Sequence, residues 1–194
     1  MKVTADIDID CADRTEILKY FKHVSAKQKN GKTHNSGVYF HDVPYEPLTN
    51  LCLLEYDQAE DMGFFKIDLL NVHLYKDVNG REHLNKLLNE EPDWNLLQHK
   101  EIVDMLFHLN NHFDIVNTHK PKSIEQLAML LAIIRPAKRA LLGRSWPEIE
   151  KTVWQKPMDD SYYFKKSHAI GYAHVIVLQL NLLRENPQKF LAQS

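Results

Sequence analysis

Glycine and cysteine are scarce in this chain, and each scarcity removes a class of function. Six glycines in 194 residues include no paired Gly-Ser element and no glycine-rich run, so no backbone cradle for phosphate is written in the sequence. The two cysteines, Cys11 and Cys52, have no metal-ligand spacing. They read as free thiols in a reducing compartment rather than a disulfide framework. Eleven histidines come without His-x-His, His-Glu-x-x-His or Cys-x-x-Cys. His108 and His112 are spaced i, i+4 but enclose the turn-forming Asn110-Asn111, so no histidine metal site is expected.

A dominant charge is also missing. With 24 Lys and Arg against 26 Asp and Glu, the formal net charge is −2. No global basic field points to nucleic acid, although a local patch can sit inside a neutral total. Long apolar runs are lacking too: the longest, around residues 173–183, is interrupted by His174, Gln179 and Asn181 and is too short to span a bilayer. Met1-Lys2-Val3 leads straight into an acidic strand with no signal-peptide pattern. A cytoplasmic, membrane-free protein is expected, and a hydrophobic content of 44% supplies ample core for it.

What stands out is Ala5-Asp6-Ile7-Asp8-Ile9-Asp10. Its strict alternation predicts a strand with an apolar side (Val3, Ala5, Ile7, Ile9) and an acidic side (Asp6, Asp8, Asp10). Successive carboxylates on one side stand about 7 Å apart and repel, so the row calls for cations, water or metal. By itself it reads more readily as a solvated edge face than as a site. A second strand, Met62–Leu70, puts Lys66 and Asp68 on its polar side, and the pattern then turns helical through Leu70, Val72, His73 and Tyr75. That makes Asp68 either a catalytic acid at a strand end or a simple cap.

Elsewhere, Asp13 with Glu16 starts a helix whose apolar stripe is Ile17, Leu18, Phe21 and Val24. Residues 26–36 read as a mobile loop, Gly37–Phe40 and Leu51–Leu54 as strands, and Val43–Pro47 as a rigid turn. Arg81–Asn89 and Glu101–Leu109 read as helices, and Phe113–Val116 as a short strand. Ser123 caps a helix ended by Arg135-Pro136, and Ser145-Trp146-Pro147-Glu148 is a capping box. A long helix runs from Ser167 to about Arg184, followed by a smaller one at Gln188–Ala192. Strands mixed with helices, then helices almost alone, predict an α+β core over residues 1–80 and a helical region over 81–194. The second region opens its long helix with Lys165-Lys166-Ser167-His168, where free N–H groups and the helix dipole favour an anion. Tyr162, Tyr163 and Phe164 beside it are candidates for base stacking. The same stretch also reads as an ordinary helix start with solvated lysines.

Five segments together resemble the palm and fingers of the bacterial replicative polymerase III alpha subunits, family C. Asp6-Ile7-Asp8-Ile9-Asp10 is similar to the first palm motif, and Gly37-Val38-Tyr39-Phe40 to the following strand. Gly63–Leu70 is similar to the glycine–hydrophobic–lysine–hydrophobic–aspartate strand. Lys120-Pro121 through Arg135-Pro136 resembles the fingers segment, and Phe164–Ala169 with Tyr172-Ala173 the Asn-Lys-Ser-His motif. The five occur in the family's order. The resemblance implies a polymerase-beta-like nucleotidyltransferase palm with a helical fingers-like lobe. It implies Asp6, Asp8 and Asp68 as catalytic ligands of two Mg²⁺ or Mn²⁺ ions, with Asp10 in support. Lys66, Arg135, Lys165, Lys166 and His168 are implied contacts to a nucleoside triphosphate or a DNA or RNA primer end, and a replication-protein partner is a further implied association.

The departures are specific. Lys165 replaces the usual asparagine, Cys11 a phenylalanine, and Ala137-Lys138 the Gly-Pro after Arg135-Pro136. The Gly-Ser loop has no counterpart, and the interval from Arg135 to Lys166 is short. An amino-terminal phosphoesterase domain, a thumb and a clamp-binding tail are not expected in a chain beginning five residues before Asp6. Three readings stand: a minimal metal-dependent nucleotidyltransferase acting on a nucleic-acid 3′ end, an inactive polymerase-core remnant that binds DNA ends or a replication partner, and a metal-dependent phosphodiesterase.

Overall fold

A computed structural model describes residues 7–158, 161 and 163–188. The chain divides into two compact units, Met1–Val78 and Asn79–Ser194. The first is α+β and carries the sheet. Its strands are β1 (Ile7–Cys11), β2 (Val24–Lys27), β3 (Thr33–Tyr39), β4 (Tyr45–Glu46), β5 (Leu51–Glu55) and β6 (Ile67–Asn71), with helices α1 (Arg14–Leu18) and α2 (Tyr56–Asp61). The strands form one six-stranded mixed sheet in the order β1-β6-β3-β2-β5-β4. β1 and β6 are parallel, while β6 pairs antiparallel with β3. One side of this sheet is closed by Cys11, Val38 and Leu69 with Ile17 and Leu18 of α1. A separate cluster gathers Val24, Ala26, Tyr39, Val43, Cys52 and Ala59.

Several local expectations change. The first helix stops at Leu18, and Val24 begins β2 instead of continuing its stripe. Residues 26–36 are not a mobile loop but much of a β-hairpin. Gly31 takes φ +77°, the Gln28 N–H meets the Lys32 carbonyl at 2.8 Å, and the Asn30 side chain accepts from the Lys32 N–H. A glycine at positive φ beside an asparagine closing its own turn is ordinary hairpin chemistry. Thr33-His34-Asn35-Ser36 lacks apolar alternation, so only pairing with neighbours makes it a strand. β6 continues to Asn71 before a 3-10 turn at His73–Asp77. Asp68 is therefore the second residue of a strand, not its end.

The second unit is helical: α3 (Gly80–Asn89), α4 (Lys100–Met105), α5 (Phe113–His119), α6 (Ile124–Ile133), α7 (Trp146–Glu150) and α8 (Lys166–Glu185). Phe113–Val116, expected as a strand, opens α5, which ends with Lys120 in the left-handed region at φ +45°. Seven successive residues of α6, Leu127 to Ile133, are buried, as befits a helix apolar on all sides at a core's centre. It packs against Ala169, Ala173, Ile176, Val177 and Leu180 of α8. Ser123 accepts the Gln126 N–H at 3.2 Å, and Ser145 and Glu148 close the capping box. Asn181, fully buried on α8, donates to the carbonyls of Leu87 and Glu90, each at 2.8 Å, and so satisfies the end of α3. Most of the short helix expected at Gln188–Ala192 lies outside the described residues.

Candidate active site

The acidic row and the second acidic strand meet by sheet pairing. β1 and β6 run in parallel register, with Asp8 opposite Asp68 and Asp10 opposite Leu70. Register partners on parallel neighbours project from the same side of a sheet about 4.8 Å apart, so Asp8 and Asp68 sit side by side. Their surroundings differ. β1 is an edge strand, with Asp8 exposed and the apolar partners Ile7 and Ile9 still 36% and 44% exposed. The expected packed face of β1 is thus closed only at Cys11. Asp68, by contrast, is buried, with 8% exposure. Asp6 lies outside the described residues.

Asp68 is held from three directions. Its Oδ1 accepts the Ser36 hydroxyl at 2.7 Å and lies 3.6 Å from His34 Nδ1. Its Oδ2 takes the Lys66 ammonium in a shielded ion pair. His34 Nδ1 accepts the backbone N–H of Gly37 at 2.9 Å and of Ser36 at 3.3 Å. An acceptor at Nδ1 puts the ring proton of neutral His34 on Nε2. Burial pushes the His34 imidazole below its usual range, against the opposing pull of Asp68. The uncharged ring therefore works on geometry: it folds Ser36 back so that its hydroxyl reaches Asp68. Gly37, the register partner of Asp68 on β3, gives Lys66 its path. A Cβ at Gly37 would stand 2.6 Å from Lys66 Cδ and 3.0 Å from His34 Nδ1, so no side chain fits without displacing the lysine.

One strand position further on, burial and the Asp8 charge raise the Asp10 carboxyl above its ordinary range, while a hydrogen bond from Tyr75 acts in the other direction. Burial and the neighbouring Asp10 push the Tyr75 hydroxyl up to about 12. Asp10 is thus tied into the first unit through the 3-10 turn that follows β6.

The cationic candidates Arg135, Lys165, Lys166 and His168 belong to the second unit. The guanidinium of Arg135 lies 4.1 Å from the Phe164 ring centroid, with His108 Nδ1 at 3.3 Å from its Nη2. Phe107, His108, Phe164 and Tyr172 pack together around it. The Arg-Pro segment and the Phe-Lys-Lys-Ser-His segment, far apart in sequence, are therefore neighbours. Phe164 is buried and is not available for base stacking, a correction to the sequence expectation. Tyr162 lies outside the described residues. Lys165 is the N-cap of α8 without a side-chain capping bond, Lys165 and Lys166 are exposed, and His168 is half-buried. The field of Lys166 falls partly on Glu125, whose carboxyl is held below its usual range chiefly by hydrogen bonds to its own N–H and to Ser123.

Sequence reasoning missed His34, Ser36 and the steric role of Gly37. The first two fell within the segment read as loop, and no apolar periodicity marked them. The donors of Asp8 and Asp68 are hard oxygens, the kind Mg²⁺ and Mn²⁺ take, and their register suits a shared ion. Among the described residues no three His, Cys, Asp or Glu side chains gather to hold a metal, and Lys66 and Ser36 occupy Asp68. The donor pair thus fits a hard divalent ion in kind, without completing a set of three. No helix among the described residues is long and apolar enough to cross a membrane. No family model, curated protein or solved structure matches the chain.

Proposed function

We propose that this protein is a minimal, metal-dependent nucleotidyltransferase of the family C polymerase kind, adding nucleotides to a nucleic-acid 3′ end. The observation that carries the reading is the register of Asp8 and Asp68 on adjacent parallel strands, with the Lys66 ammonium on Asp68. Paired carboxylates beside a shielded lysine supply both signs of charge that phosphoryl transfer needs. In this reading the 3′ hydroxyl attacks the α-phosphorus of a nucleoside triphosphate and pyrophosphate leaves. Asp8 and Asp68, together with Asp6, would hold two Mg²⁺ or Mn²⁺ ions, which would supply charge to offset the reacting oxygens. Asp10 supports the row through Tyr75. Ser36 and His34 keep Asp68 aimed. Lys66 would exchange its carboxylate for phosphate; Arg135, Lys165, Lys166 and His168 of the second unit are proposed contacts to triphosphate or primer on the family resemblance alone.

A second reading, a polymerase-core remnant that binds DNA ends or a replication partner without turnover, draws on one observation. Both oxygens of Asp68 are already engaged by protein groups.

Primer extension separates the two. A labelled primer, with and without template, is incubated with Mg²⁺ or Mn²⁺ and each nucleoside triphosphate. Extension by the unaltered protein and a loss of at least about a hundredfold in Asp8→Asn and Asp68→Asn are expected. Intact primer under every condition, with binding retained, leaves the second reading. Shortening of the primer without triphosphate points instead to a phosphodiesterase.

A further inference from the structure

The corner where α1 meets the hairpin carries a feature that the acid pair does not use. A groove of about 590 Å³ runs along α1, with Arg14, Lys19, His23, Asn35 and Asn71 among its lining residues; none of its lining residues is a carboxylate. The short link from α1 to β2, Tyr20-Phe21-Lys22, leaves two aromatic rings in solvent, Tyr20 at 81% and Phe21 at 56% exposure. Phe21 meets Phe40, the residue after β3, edge-on at 5.7 Å, and Phe40 is itself 37% exposed. Neither Tyr20 nor Phe21 belongs to the apolar cluster around Tyr39 or to the one around Val38. The nearby carboxylates are loosely engaged: Lys19 pairs with Glu16 at 2.6 Å and Lys22 with Asp42 at 3.6 Å, all four side chains well exposed. Such pairs contribute little and exchange readily for a stronger anion. Arg14 is anchored by its contact to the Asn35 carbonyl and by its backbone N–H on the Asn71 side chain at 2.7 Å, leaving further guanidinium donors for a ligand.

We infer that this groove and the aromatic link that follows α1 hold single-stranded nucleic acid, the phosphates on Arg14, Lys19 and Lys22 and the bases on Tyr20 and Phe21. Cations that track a backbone beside exposed rings that accept any base are the two elements of sequence-tolerant single-strand binding. Amide side chains such as Asn35 and Asn71 add hydrogen bonds to phosphate or sugar. The groove adjoins the acid pair through the chain itself. Asn71 is three residues along β6 from Asp68, about 10 Å of strand and on the opposite face of the sheet, and Asn35 precedes the Ser36 that bonds Asp68. The inference rests on the proposed nucleic-acid function for the class of partner.

Fluorescence anisotropy with labelled oligo(dT), oligo(rU) and a duplex of equal length, in EDTA and without triphosphate, tests it apart from catalysis. Both single strands are expected to bind, the duplex more weakly. Tyr20→Ala, on a side chain too exposed to matter for folding, weakens binding about tenfold. Lys19→Ala lowers the slope of log affinity against log salt by about 0.7. Leu48→Ala, an exposed apolar change elsewhere, leaves both unchanged. Absence of binding by the unaltered protein, equal binding by Tyr20→Ala, or duplex preferred over both single strands overturns the inference. Should the variants behave as expected while primer extension is nil, the enzyme reading falls and the groove stands. Extension that persists with unaltered binding in Tyr20→Ala and Lys19→Ala overturns the groove and leaves the enzyme reading in place.

Discussion

At the scale of single residues, Lys66 and Gly37 are one device. The lysine reaches Asp68 because the residue beside its stem has no Cβ. Gly37→Ala should dislodge Lys66 and destabilise the first unit, and in a Lys66→Ala background the same change should cost far less. A double-mutant cycle read by urea denaturation is expected to give a coupling of about 1 kcal/mol; additive effects would mean that the lysine stem does not need the gap. His108 offers a second test at this scale. Burial, with the Arg135 charge adding, lowers its pKa to about 4, below the ordinary value near 6.5. A depressed histidine contributes stability that is complete above the unfolded value and is lost as pH falls through about 6.5 toward 4, because the unfolded chain takes the proton first. His108→Asn keeps a residue suited to the φ of +59° at this position and removes the titration. The unaltered protein should lose up to about 3 kcal/mol more than this variant between pH 7 and pH 4. Parallel unfolding profiles for the two proteins would contradict the buried, uncharged imidazole. The sequence marked Gly37 as the start of a strand and His108 only for its i, i+4 spacing to His112, and it marked neither of these roles. A glycine in a strand and a histidine beside two asparagines say nothing until the distant lysine and arginine that they touch are known.

At the scale of elements, what could be read depended on whether the signal was local. Caps were legible: Asp13, Ser123 and Ser145 sit where their side chains serve the backbone N–H groups of their own helices. The alternation of Asp8 and Asp10 with Ile7 and Ile9 gave a strand correctly. It could not give the edge position, which depends on which strand pairs with β1. The hairpin of β2 and β3 was hidden because His34, Asn35 and Ser36 are held by neighbours and not by apolar periodicity. Asn181 is the clearest long-range element contact. It sits mid-helix on α8, where asparagine is a poor helix former, and it is accommodated there because it bonds two carbonyls at the end of α3. Asn181→Leu should therefore destabilise by about 1–3 kcal/mol by orphaning buried acceptors, seen as a lower urea midpoint with an unchanged m-value. A neutral or stabilising outcome would mean that the α3 terminus finds other donors.

For the whole molecule, the division into an α+β unit and a helical unit follows from patterning that changes along the chain. Apolar alternation dominates before Val78, and helical stripes and caps dominate after it. Of the candidate site, the acids and Lys66 could be picked out in the sequence, while Ser36 and His34 could not. Asp8 and Asp68 were written in two strands, but their placement in register, and the Ser36, His34 and Lys66 groups that fix one of them, are products of sheet pairing. In the proposed reading the Lys66–Asp68 pair is the metal-free arrangement and a divalent ion would displace it, because an ion would offer Asp8 and Asp68 together more charge than one ammonium offers Asp68 alone. Diffraction from crystals soaked in Mn²⁺, read by its anomalous signal, tests this most directly. A peak with oxygens of Asp8 and Asp68 at about 2.1 Å, and Lys66 turned away from Asp68, is the predicted result. Saturating Mn²⁺ with no peak between the two carboxylates, and Lys66 still on Asp68, would contradict a metal-dependent transferase.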